Sequence, residues 1–238
     1  MTDTINEIIE IKNIEAVAWD LDGTLIDSFD MYVKIAEELA AEFGLNMPTR
    51  ELMLENYHGS LEDTLKMTFG LETDKELDRI MPRFTELQSK HYEEDIDSHF
   101  FDDAIELATQ ANAMGIKQIV VTNRAHEGRA GASPHSIIAR SRIKQFIHEI
   151  RCRDQVEFPK PDARVMHDWL VTHNIDPTKV LVVGDQHIDA QLALNLSARA
   201  VLVTRNGLIP HLETLGNDIE GKVYVVKTLH EVIIGNNL

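Results

Sequence analysis

Apolar residues are distributed along this chain in two rhythms. Short, nearly continuous apolar runs occur at residues 16–19, 119–121 and 180–183, reading AVAW, IVV and VLVV. Such runs suit strands buried on both faces of a parallel sheet, where neither face is left to polar side chains. Residues 200–203 and 223–226 repeat the pattern, and a weaker run surrounds Ile150. Between them the apolar positions recur at helical spacing. Asp102 or Asp103 is placed to cap a helix reaching about Met114, before Gly115. Ser133-Pro134 reads as a cap and a first helical residue, and Asp162 opens a helix towards His173. Strands alternating with helices predict an α/β domain with a parallel sheet.

Residues 29–98 break this alternation and contain no convincing strand. Ser28 is placed to open a helix with Val33, Ala36, Leu39, Ala40 and Phe43 on one face, stopped by Gly44. Thr49 opens a second helix, Ser60 a third that ends at Gly70, and Asp74 a longer one bent at Pro82. Four helices between the first two core strands predict an inserted all-helical subdomain at residues 28–98. The core is then a Rossmann-like parallel sheet built from residues 14–27 and 99–238, and residues 1–13 form an extension.

Charge narrows the partners. The formal net charge is −17, from 23 basic and 40 acidic side chains. Such a surface repels phosphate backbones and anionic lipid, which argues against nucleic acid and membranes as partners. It also repels anionic substrates, so a phosphate site here needs its own local positive charge. The first residues lack a basic start followed by an apolar run, and no apolar run reaches the length of a membrane span. With a single cysteine, Cys152, and no intrachain disulfide, the expectation is a cytoplasmic protein.

Four segments carry candidate chemistry. The run DLDGTLIDS follows the first core strand, so Asp20 and Asp22 stand at its carboxyl end, where ligands bind in open α/β sheets. Alternation along an extended segment lets both carboxylates face one pocket, and Gly23 lets the chain turn away. By itself the run also reads as a strand end with an acidic turn. VVTNR places Thr122 and Asn123 at the next strand end, either as a polar turn or as hydroxyl and N–H donors for phosphate oxygen. In FPKPD two prolines bracket Lys160, restricting a point charge suited to phosphate. VVGDQHID places Asp185 at a third strand end and Asp189 four residues on, on one helical face. Asp185 also suits a helix cap, and His187 is offset towards the surface. Oxygen ligands from Asp20 and Asp185 suit Mg²⁺, which takes one or two carboxylates together with water and substrate phosphate. The 11 histidines show no zinc-binding spacing, and no C-x-x-C, G-x-S-x-G, Walker-type or dinucleotide-binding glycine motif is present. Cys152, between two arginines, reads as a small residue on a sheet strand.

Together and in this order, the four segments resemble the haloacid dehalogenase-like phosphohydrolase superfamily, whose pattern is D-x-D-G-T, a strand-end Ser or Thr, a Lys, and G-D-x-x-x-D. The resemblance runs from about Ala16 to Val203. DLDGTLIDS and the segment HGS at His58 to Ser60 look most like phosphoglycolate phosphatase-type members with a helical cap. The resemblance implies a Mg²⁺-dependent phosphatase acting on a small phosphomonoester through an aspartyl-phosphate. Asp20 would be the nucleophile, and Asp22 the general acid and base, giving the metal its backbone carbonyl. Asp185 would bind the metal, with Asp189 in support, and Thr122, the Asn123 N–H and Lys160 would hold the phosphoryl oxygens. Dehalogenase members lack the second aspartate. A sugar-phosphate mutase of the same superfamily and a non-catalytic regulatory protein on this fold are the alternatives. Cap residues His58, Ser60, Lys66, Arg79 and Arg83 are either contacts for the leaving group or ordinary exposed helix positions. Two departures from the family pattern are residues 195–198, where many relatives have Ala-Gly, and the Gly- and Ala-rich stretch at 126–134.

Overall fold

The computed structural model describes residues 8–57, 61–127, 132–205, 212–215 and 219–235. His58 and Ser60 of the cap, and residues 128–131 of the Gly-rich stretch, lie outside the described residues.

In chain order the elements are β1 (Ile9–Ile11), β2 (Ala16–Trp19), α1 (Ser28–Phe43), α2 (Arg50–Glu55), α3 (Leu61–Phe69), α4 (Asp74–Glu94), α5 (Asp102–Ala113), β3 (Lys117–Thr122), α6 (Pro134–Arg140), β4 (Glu149–Cys152), α7 (His167–His173), β5 (Val180–Gly184), α8 (His187–Asn195), β6 (Arg199–Val203), β7 (Val223–Val226) and β8 (Val232–Ile234). Strands β4-β3-β2-β5-β6-β7 form one parallel sheet in that order. The chain moves outward one way from β2 and then returns to start again with β5. The order therefore reverses beside β2, and the crevice at the carboxyl ends of β2 and β5 is the topological switch point where such sheets bind ligands.

The sheet's apolar core divides by strand alternation. Ala16 and Ala18 of β2 and Val180 and Val182 of β5 point to one face, where they pack with Trp169 and Leu170 of α7 and Leu192 of α8. Val17, Trp19, Leu181 and Val183 point to the other. That second cluster continues without interruption into the inserted helices through Ile35, Leu39, Met53, Leu65, Leu77 and Phe84. Among the described residues the insert contains helices and no strand, as its pattern predicts, and it is fused to the core by shared apolar packing.

Several helix starts differ from the sequence reading. Asp27, not Ser28, caps α1, accepting from the Asp30 N–H at 2.9 Å. Thr73, not Asp74, caps α4 in a reciprocal box with Glu76, and α4 runs on through Pro82. Neither Asp102 nor Asp103 caps α5; both lie within its first turn. Asp103 instead accepts from Arg205, the Thr228 hydroxyl and the Leu229 N–H. Asp162 opens a short 3₁₀ turn before α7. Strands β1 and β8, not anticipated from the sequence, pair with each other in parallel, Ile9 opposite Val232. Among the described residues no helix is long and apolar enough to cross a membrane.

Candidate active site

Asp20 follows β2, and its backbone N–H continues the sheet to the Val183 carbonyl at 2.8 Å. Asp185 follows β5 one residue beyond the matching register. Two glycines allow these ends to close together. Gly23 has φ of +72°, and a Cβ there would lie 2.3 Å from Asp185 Oδ2. A Cβ on Gly184 would lie 2.2 Å from Asp189 Cγ. The glycines of both acidic motifs are therefore demanded by carboxylates of the second.

Asp20, Asp185 and Asp189 are all buried and offer oxygens within 4.8 Å of one another. Lys160, equally buried, donates from Nζ to Asp20 Oδ1 and to Asp189 Oδ1, each at 2.6 Å. Asp189 Oδ2 accepts from the Gln186 N–H. Gln186 rather than Asp185 caps α8. Asp185 Oδ1 is buried without a hydrogen-bond partner among the described residues. Three carboxylates facing one ammonium leave excess negative charge out of water. Burial pushes the Asp20 carboxyl up to about 7, with Asp189 and Asp22 adding to the rise and Lys160 opposing it. Asp185 is raised well above the usual carboxylate range by burial and then by Asp20 and Asp189. Burial would discharge Lys160, but Asp189 and Asp20 outweigh it and hold the ammonium charged. An all-oxygen set with an unpartnered carboxylate oxygen fits a hard divalent cation.

Asp22 lies beside this cluster, and Arg124 clasps its carboxylate. Arg124 Nε donates to Oδ2 at 2.8 Å and Nη2 to Oδ1. Arg124 is itself buried under the cap, donating to the Tyr92 hydroxyl of α4 and to the Ala132 carbonyl. Arg124 closes the VVTNR run, one residue past the Thr122 and Asn123 pair. Thr122 Oγ1 accepts from the Arg124 N–H at 3.0 Å, which leaves its own proton to donate. Asn123 Nδ2 donates to the Lys160 carbonyl at 3.3 Å, joining the loops after β3 and before α7. Asn195, at the end of α8, donates to the Pro161 carbonyl at 2.8 Å, so Asn195 braces the Lys160 loop from the other side. Ser197 takes the positive φ, 58°, that glycine adopts more readily.

All seven residues singled out from the motifs thus stand on one rim of the sheet, with Asp20, Lys160, Asp185 and Asp189 in direct contact or close approach. Among the cap candidates, Lys66 pairs with Asp74, Arg83 with Glu42 and Glu86, and Arg79 lies over the Phe43 ring. These three are engaged within the cap. Among the described residues, Tyr92 and Tyr57 of the cap approach Asp22 and Arg124. His187 is exposed. Cys152 is buried at the end of β4, and burial pushes its thiol up to about 12, Asp154 adding to the rise and Arg124 opposing it.

A Rossmann-like sheet with an acidic cluster at its switch point, a buried lysine and a helical insert after the first core strand defines a class. The chain belongs to the haloacid dehalogenase-like hydrolases, whose family model matches residues 17–203. It is 26% identical over 183 residues to the phosphoglycolate phosphatase of Thiobacillus denitrificans, covering 76% of this chain and 78% of that one. It is 25% identical over 191 residues to the N-acetylmuramic acid 6-phosphate phosphatase of Pseudomonas aeruginosa, covering 80% and 81%. The crystal structure of a predicted phosphoglycolate phosphatase from Haemophilus somnus shares the fold, with a TM-score of 0.68 at 16% identity over 91% of this chain and 95% of that one.

Proposed function

We propose that this protein is a Mg²⁺-dependent phosphatase that hydrolyses a small, phosphoglycolate-like phosphomonoester through an aspartyl-phosphate on Asp20. The observation that carries this reading is the buried contact of Lys160 with Asp20, in a cluster completed by Asp185 and Asp189. The two relatives above act on different phosphomonoesters by name, which supports the reaction class more strongly than any one substrate.

Asp20 Oδ attacks phosphorus, forming a P–O bond as the bond to the leaving oxygen breaks. Asp22 gives that oxygen a proton. Water then attacks phosphorus, Asp22 takes the water's proton, and the bond to Asp20 breaks to release inorganic phosphate. The Thr122 hydroxyl, the Asn123 N–H and the Lys160 ammonium hold the phosphoryl oxygens. Lys160 also holds Asp20 in place. Asp22 is released from Arg124 when it takes up its acid role, and Arg124 holds the carboxylate at the rim until then. The carboxylates of Asp20 and Asp185 and the Asp22 carbonyl would hold Mg²⁺, with Asp189 supporting it directly or through water. Bound there, Mg²⁺ supplies the positive charge that favours ionised Asp20 and offsets the phosphoryl oxygens. The cap stands over the leaving-group side, where Tyr57 and Tyr92 approach.

The test is phosphate release from a panel of phosphorylated metabolites with Mg²⁺ and with excess chelator. Turnover of at least one small phosphomonoester, dependent on Mg²⁺ and abolished in Asp20→Asn, is the expected result. Full activity in chelator, or turnover by Asp20→Asn, refutes the reading.

A further inference from the structure

A second cluster of ligating atoms lies outside the acidic site and shares no residue with it. Cys152 ends β4, opposite Thr122 in the sheet register. His135 is the second residue of α6, positioned by the Ser133 cap, whose side chain accepts from the Ser136 N–H. His126 lies in the loop after β3. A ring nitrogen from each histidine and the Cys152 sulfur all fall within 4.8 Å of one another. Cys152 Sγ and His135 Nδ1 are 3.7 Å apart, and the two imidazoles meet edge to face with centroids 4.7 Å apart.

The surroundings hold these groups in place and leave one ring nitrogen unsatisfied. Asp154 accepts from the backbone N–H groups of His126 and Glu127, both at 2.8 Å, one on each oxygen. That fixes the loop and engages both oxygens of Asp154. His126 Nδ1 is buried with no hydrogen-bond partner among the described residues. A simple Cys–His hydrogen bond would need His135 alone and would leave His126 unexplained. A buried ring nitrogen without a partner is costly unless something else fills its place.

We infer that His126, His135 and Cys152 form a binding site for a divalent metal that prefers thiolate and imidazole, Zn²⁺ in the first instance. Two nitrogens and one sulfur make a borderline-soft donor set, which Zn²⁺ accepts and Mg²⁺ rejects. Zinc bonds of about 2.3 Å to sulfur and about 2.0–2.1 Å to nitrogen place tetrahedral ligand atoms roughly 3.6 Å apart. The Cys152–His135 separation already lies close to that value. On binding, the Cys152 thiol gives its proton to solvent and its sulfur becomes the ligand; no redox partner is involved. The three ligands come from three separate segments, so linear spacing in the sequence does not reveal them. Arg124, which clasps Asp22, lies two residues before His126. An occupied site therefore ties the loop carrying Thr122, Asn123 and Arg124 to the end of β4 and the start of α6.

The test uses the untagged, metal-free full chain with excess Mg²⁺ present to occupy carboxylates, titrated with Co²⁺ as a spectroscopic probe. The expected result is a thiolate-to-cobalt absorption band in the near ultraviolet, saturating at about one equivalent and displaced by Zn²⁺. The band should be absent in Cys152→Ser and retained in Asp185→Asn. His126→Gln and His135→Gln, at half-buried positions, should weaken Co²⁺ binding about tenfold or more while far-ultraviolet circular dichroism stays native. Should Cys152→Ser fail to fold, these two variants decide the question. A folded wild type with no thiolate band, a band unchanged in Cys152→Ser, or unaltered affinity in both histidine variants overturns the inference.

Discussion

Asp22 and Gly23 show how closely chemistry and backbone are interlocked in this site. The side chain of Asp22 is proposed to move protons, and its carbonyl to meet the metal, so Asp22→Asn should separate the two. With p-nitrophenyl phosphate, whose leaving group needs little protonation, attack by Asp20 is the step least affected. Breakdown of the intermediate still needs a base, whose loss typically costs about 10²–10⁴ in rate. Rapid-mixing assays of Asp22→Asn should therefore show a burst of p-nitrophenol and then slow turnover, with a phosphoryl adduct mapped to Asp20 by mass spectrometry. An adduct elsewhere means the roles are misassigned. Gly23→Ala probes the neighbouring constraint. Its φ of +72° and the 2.3 Å approach of Asp185 Oδ2 act together. The backbone term alone costs about 1 kcal/mol or more. The collision should in addition displace Asp185, so that Mg²⁺ no longer raises the melting temperature. A variant that is merely less stable, with an intact Mg²⁺ response, would show that Asp185 has room to move.

Helix α5 depends on a side chain that its own capping pattern does not explain. Asp103 links its first turn to Arg205 beyond β6 and to Thr228 and Leu229 before β8, three contacts from regions distant in sequence. Burial raises the Asp103 carboxyl, but Arg205, Thr228 and the Leu229 N–H together outweigh it and hold it below the ordinary value of 3.8. A depressed carboxyl contributes stability above its ordinary value and loses it as the pH falls through the lower folded value. Asp103→Asn should cost about 1–3 kcal/mol at neutral pH, because it takes the carboxylate from Arg205, which keeps the Thr24 carbonyl and the Phe101 ring. Denaturant titrations of both proteins should show that gap closing below about pH 3.8. A gap that persists unchanged in acid would mean the contribution is packing rather than charge. The same contacts mark what is hard to read from sequence. The core strands were legible because their apolar runs are local. Arg124 was missed because its partner Asp22 is 102 residues away. β1 and β8 were missed because each has three residues, and their pairing joins opposite ends of the sequence. The strand-end aspartates were legible because a carboxylate after a buried strand has one place to go, the sheet's carboxyl rim.

At the scale of the whole molecule the acidic cluster works against the fold that carries it. Burial, Asp20 and Asp189 all disfavour ionised Asp185. Metal-free Asp185→Asn should consequently be more stable than the wild type near neutral pH, by on the order of 1 kcal/mol. Saturating Mg²⁺ should reverse the ranking, since ligand at about 100 times its dissociation constant adds about 2.7 kcal/mol to the protein that binds it. Thermal unfolding of both proteins, with Mg²⁺ and with chelator, checks the crossing; parallel curves would place the cation elsewhere. A different consequence follows from the β1–β8 pair, Ile9 opposite Val232. On the ribosome β1 emerges before every strand of the central sheet and β8 after all of them. The central sheet can assemble as its strands appear, while β1 waits with its backbone edge unpaired. A stalled or prematurely terminated chain lacking β8 would carry that edge permanently, ready to pair with the same edge on another nascent chain.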